Sequence, residues 1–100
     1  MNLLLVTFAL RNKEKDYDSF FVALRGNASQ WLHYIDGTFI VLTPYSPDDL
    51  ILKLVPHFEP TDSVIILPVT RPINGWMPEH AWDWITKCLA LTSLNKSLSS

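Results

Sequence analysis

The stretch from Gln30 to Thr43, QWLHYIDGTFIVLT, constrains this chain more than any other. Two runs of apolar, aromatic and β-branched residues flank Asp36-Gly37. Asp-Gly between such runs is the strongest short-range hairpin signal, because a type I′ turn requires positive φ at both central residues. The turn sets a register. On the first strand, Trp31, His33 and Ile35 are expected on one face, and Leu32 and Tyr34 on the other.

The rest of the chain arranges itself around that hairpin. Asn2 to Leu10 carries Leu3, Leu4, Leu5, Val6 and Phe8 almost without polar interruption. Such a run suits a central strand covered on both faces. It lacks a basic flank and a small-residue cleavage site, so it reads as a strand rather than a signal peptide. Arg11 to Lys15 is a charged loop, and Asp16 can cap a first helix. Tyr17, Phe20, Phe21 and Leu24 form the apolar stripe of that helix, which Gly26-Asn27 is expected to end as a C′ pair.

After the hairpin, Ser46-Pro47-Asp48-Asp49 opens a second helix. Ser46 caps, Pro47 takes the first helical position, and the aspartates favour the positive end of the dipole. Leu50, Ile51, Leu54 and Val55 make its apolar stripe, and Pro56 ends it. Glu59 to Asp62 reads as a turn. Val64 to Val69 reads as a strand buried on both faces. Its Pro68 lacks a donor, which places the strand at a sheet edge or Pro68 near the strand's own end. Pro78 and Glu79 open a third helix with Ala81, Trp82, Ile85 and Leu89 on one face.

The order β-α-β-β-α-β plus a C-terminal helix predicts an α+β, ferredoxin-like sandwich with a four-stranded antiparallel sheet. Right-handed crossovers put strands one and three at the centre, two and four at the edges, and both crossover helices on one face. One domain is expected over 1–91, with a polar, flexible tail over 92–100. The other sheet face is then covered by the Trp82 helix or by a second subunit.

Charged residues are only 18% of the chain, against roughly 25% in an average domain. Apolar residues make up 48%. So little polar surface points to a homodimer or another protein partner. The net charge of −2 supplies no long-range field toward nucleic acid. No apolar run approaches the ~18 residues of a membrane span. The single cysteine, Cys88, cannot form an intramolecular disulfide, which fits a reducing, cytoplasmic location.

Candidate chemistry is sparse. His33, His57, His80 and Cys88 lack ligand-type spacing, so neither a metal nor a cofactor is expected. Asp48 and Asp49 are accounted for as helix-terminus charges. Arg11, Lys13 and Lys15 form a basic loop which, with His33 and Arg71, supplies the candidate nucleic-acid contacts. Trp31, Trp76, Trp82 and Trp84 are candidate packing or interface aromatics.

One resemblance bears on function. Asp16-Tyr17, Trp31-x-His33-Tyr34 through Thr38-x-Ile40-Val41, and Gly75-Trp76-x-Pro78-x-x-Ala81-Trp82-x-Trp84 together resemble a family of short bacterial proteins. These are similar in fold to the CRISPR-associated small nuclease subunit and its toxin relatives. The resemblance implies a ferredoxin-like fold and dimerisation. The nuclease-like relatives hold a metal through an aspartate at the end of strand one, paired across a dimer. Here that stretch reads Thr7-Phe8-Ala9-Leu10, without a carboxylate. The expectation is therefore a non-catalytic interaction or regulatory protein acting as a homodimer. The alternatives are a nucleic-acid-associated protein or nuclease, and a small-molecule-binding regulator.

Overall fold

The computed structural model describes residues 1–99, with side chains as far as Thr92. Of the stretch expected as a flexible tail, 92–100, the backbone belongs to the third helix as far as Ser99, and Ser100 lies outside the described residues. Seven elements run in order: β1 (Asn2–Ala9), α1 (Asp18–Gly26), β2 (Gln30–Ile35), β3 (Thr38–Thr43), α2 (Pro47–Leu54), β4 (Ser63–Pro68) and α3 (Glu79–Ser99). A single 3-10 turn, Val55–His57, with Pro56 in its first turn, comes after α2. The strands form one antiparallel sheet in the order β2-β3-β1-β4. β1 and β3 are central, and the architecture is compatible with a ferredoxin-like α+β fold.

The alternation of β1 separates two cores. Leu4 and Val6 face the front, where they pack with Phe20 and Leu24 of α1, Phe39 and Val41 of β3, and Leu50 and Leu54 of α2. Phe8 extends this core, edge-on to Phe20 at 5.0 Å between centroids. Leu3 faces the back and packs with Leu42, Ile85, Cys88 and Leu89. The third helix therefore covers its own sheet over β1 and β3.

The start of α2 obeys its local chemistry. Ser46 Oγ accepts from the Asp49 N–H at 3.2 Å with Pro47 in the first turn, as expected. The N-cap position of α1 falls on Tyr17, whose side chain makes no cap bond, rather than on Asp16, which lies one residue earlier and accepts the Asp18 N–H at 2.9 Å. The end of α1 differs from expectation. Gly26 does not have a positive φ. Asn27 closes the helix instead, donating from its amide to the Ala23 carbonyl at 2.7 Å.

The hairpin forms, with two corrections. Only Gly37 has positive φ, at 70°, so the turn is not type I′. A turn of the unprimed kind splays its strands, and a bulge in β2 absorbs the mismatch. Leu32 opposes Ile40 and Ile35 opposes Thr38, so His33 and Tyr34 together oppose Phe39. The extra residue moves Ile35 off the face of Trp31 and His33. It joins Thr38, whose hydroxyl lies 3.2 Å from that of back-facing Thr7.

β4 also departs from expectation. Val64 and Ile66 pack on the front core. Ile65 and Leu67, expected to be buried, are 54% and 45% exposed on the back. The cause is where α3 lies. Its His80 is hydrogen-bonded to the Tyr34 hydroxyl, and its Trp84 indole N–H donates to Gln30 Oε1 at 3.1 Å. Both partners are on β2, so the helix is held toward that edge and leaves the β4 side uncovered.

Candidate functional site

The basic loop is knitted into the fold. Arg11 donates its backbone N–H to Asp62 Oδ1 at 2.8 Å, and its guanidinium to the Thr61 carbonyl at 2.7 Å and Ser63 Oγ at 2.8 Å. Lys15 donates to the His57 carbonyl at 2.8 Å, pairs with Glu59 at 3.8 Å and sits 5.0 Å above the Tyr17 ring. Of the three loop cations, only Lys13 makes no such contact among the described residues.

The centre of this knot is Asp62, which sequence reasoning read only as part of a turn. Its carboxylate accepts from the backbone of Arg11 and of Glu59, each at 2.8 Å, and from the Tyr17 hydroxyl at 2.9 Å to both oxygens. Desolvation pushes the Asp62 pKa up. The N–H donors of Arg11 and Glu59, the Tyr17 hydroxyl and the Lys15 cation outweigh it and hold the group below its ordinary value. Tyr17 moves the other way, raised by desolvation and by its bond to the carboxylate. Only the Glu59-to-Asp62 half of the knot had a local signal, as a turn in which an aspartate accepts from nearby backbone.

The other candidates do not join this loop. His33 is exposed on β2, its ring stacked on Phe39 at 4.1 Å and 18°. The Val69 N–H bonds to the Leu3 carbonyl at 2.8 Å, so Arg71, two residues on, lies beyond the N-terminal end of β1. Arg11 comes after the C-terminal end of the same strand. The five residues therefore do not compose one basic patch. Among the described residues, no group of three or more His, Cys, Asp or Glu side chains could hold a metal ion. Cys88 is 1% exposed in the back core, and desolvation pushes its thiol pKa up. No described helix is long and apolar enough to cross a membrane.

The tryptophans divide into two pairs. Trp82 and Trp84 both pack half-buried against the back core. Trp31 is 45% exposed at the β2 edge, and Trp76 is fully exposed in the connection before α3.

What remains is a surface. On the back of the sheet Leu5 opposes Leu67 and Thr7 opposes Ile65. Leu5 is half-buried, and the two β4 residues are open to water. The β4 edge itself is a poor template for a further strand. The Val69–Leu3 bond fixes the ladder parity, so Ser63, Ile65 and Leu67 bond inward to β1. Val64, Ile66 and Pro68 present their backbone outward, and Pro68 has no N–H to offer.

No protein-family model matches this chain, and neither a curated protein nor a solved structure does.

Proposed function

We propose that this chain is a non-catalytic interaction module with the ferredoxin-like split βαβ arrangement, and that it acts as a homodimer through the β4 half of the back face. The exposure of Ile65 and Leu67 carries this reading. Strand alternation commits Val64 and Ile66 to the front core, so no slip of register can hide their neighbours. A two-fold contact would set the Ile65–Leu67 strip of one copy on that of the other. Burying what is exposed on each side chain contributes ~1 kcal/mol apiece. The outward edge, short of a donor at Pro68, favours packing through the face over strand addition.

The nucleic-acid reading has less support. Arg11 and Lys15 make their bonds within the chain, and Arg71 lies at the opposite end of the sheet.

Sedimentation equilibrium over a micromolar-to-millimolar series tests the proposal. The wild type is expected to shift from monomer to dimer. A variant carrying Ile65→Glu and Leu67→Lys is expected to stay monomeric with unchanged far-UV circular dichroism. A wild type that remains monomeric throughout, or a variant that dimerises equally well, would overturn it.

A further inference from the structure

A cavity of about 470 Å³ lies between α3 and the loop after β4. Its walls are Ile73 and Pro72 from the loop and Trp82, Ile85 and Leu89 from the helix. Arg71 and Thr86 complete the lining. The volume falls within the ~300–1,000 Å³ of small-molecule sites, which are likewise mostly apolar with a few placed polar groups. The space is open to solvent on one side and is floored by the buried Ile85 and Leu89.

The loop packs against the helix at two points. Gly75 lies against the benzo edge of Trp82, where an added Cβ would meet Cζ2 at 3.5 Å. Ile73 is drawn into the back core. Arg71 is exposed, and among the described residues it makes neither an ion pair nor a side-chain hydrogen bond. In this it differs from Arg11 and Lys15, which the fold employs. An unengaged guanidinium on an apolar cavity suits an anionic head on an apolar body. Its planar fork matches a carboxylate through two parallel bonds.

We infer that this cavity binds a small apolar carboxylate, with its body against Ile73, Trp82, Ile85 and Leu89 and its head on Arg71, assisted by the Thr86 hydroxyl. The inference does not depend on dimerisation. The site lies beside α3, whereas the proposed contact lies on the β4 strip that α3 leaves open. A nucleic-acid phosphate fits less well, because the walls are apolar and, among the described residues, Arg71 is the only charged group in the lining.

The test is a titration of the ¹⁵N-labelled full chain with octanoate, monitored by amide and indole N–H shifts, with octanol as the uncharged control. Saturable shifts confined to Arg71, Ile73, the Trp82 indole and 85–89 are expected, with octanol weaker by about tenfold for want of the charge-assisted bond. Arg71→Ala should reduce octanoate to the level of octanol. Thr86→Trp, at an exposed position, should plug the cavity and abolish both while the remaining spectrum stays dispersed. Absence of saturable shifts in the wild type would overturn the site. Equal binding of octanoate and octanol, or octanoate binding unaffected by Arg71→Ala, would overturn the carboxylate assignment.

Discussion

Tyr17 and Asp62 are separated by 45 positions in the chain, yet the phenol reaches both carboxylate oxygens at 2.9 Å. That contact joins the loop after β1 to the turn before β4, and it depends on ionisation. A carboxylate held below its ordinary value stabilises the fold at every pH above the unfolded pKa, near 3.8. The contribution is lost as pH falls through the lower folded value. Urea unfolding of Asp62→Asn should therefore show a lower midpoint at neutral pH and a shallower decline with acid than the wild type. Equal slopes would mean that Asp62 is not the group responsible. Gly37 is the second position where one side chain decides much. Its φ of 70° and the 2.8 Å that would separate an added Cβ from the Phe8 carbonyl both oppose substitution. Gly37→Ala should cost about 2 kcal/mol or more by equilibrium unfolding. The glycine was legible in the sequence as a turn residue. Its close approach to β1, where the Phe8 N–H bonds to the Gly37 carbonyl at 2.8 Å, was not.

The start of α2 behaved as its local signals indicated. The Ser46-Pro47 start of α2 needs nothing beyond neighbouring residues, and its cap bond is present at 3.2 Å. Ser46→Ala should lower stability by ~1 kcal/mol in urea unfolding without changing the circular dichroism of the native state. The hairpin was equally legible in its existence and position. Its turn type and bulge were not, because the turn also bonds to β1, where the Phe8 N–H donates to the Gly37 carbonyl. α3 shows a different limit. Its apolar face could be read from Ala81, Ile85 and Leu89, but its lateral position depends on Tyr34 and Gln30 at the far edge of the sheet. That position, rather than the composition of β4, makes Ile65 and Leu67 exposed.

For the molecule as a whole, low charge and open apolar surface point to the same conclusion. A chain with 18% charged residues and net charge −2 has little field for steering onto phosphates. Its loop cations are mostly occupied within the fold. Fluorescence anisotropy with labelled single- and double-stranded DNA and RNA should show no binding that weakens steeply with salt. Steep salt dependence, lost on Lys13→Ala, would instead establish phosphate contacts at the loop. The candidate site was thus only half visible in the sequence. Apolar excess pointed to apolar surface, which Ile65 and Leu67 supply, but His33 and Arg71, grouped with the loop by charge alone, lie apart from it.

Periodicity and turn chemistry were enough to specify the strands, the helices and the central place of β1, because these rest on contacts between near neighbours and on alternation along one strand. Proline in β4 likewise marked an edge without reference to anything distant. The Asp62 knot, the bulge that turns Ile35 over, the lateral seat of α3 and the cavity beside Arg71 came from packing. The knot and the seat of α3 join groups tens of residues apart, and their meeting is governed by how the layers slide and settle against one another. No local pattern encodes that displacement, and it is what leaves the β4 strip open.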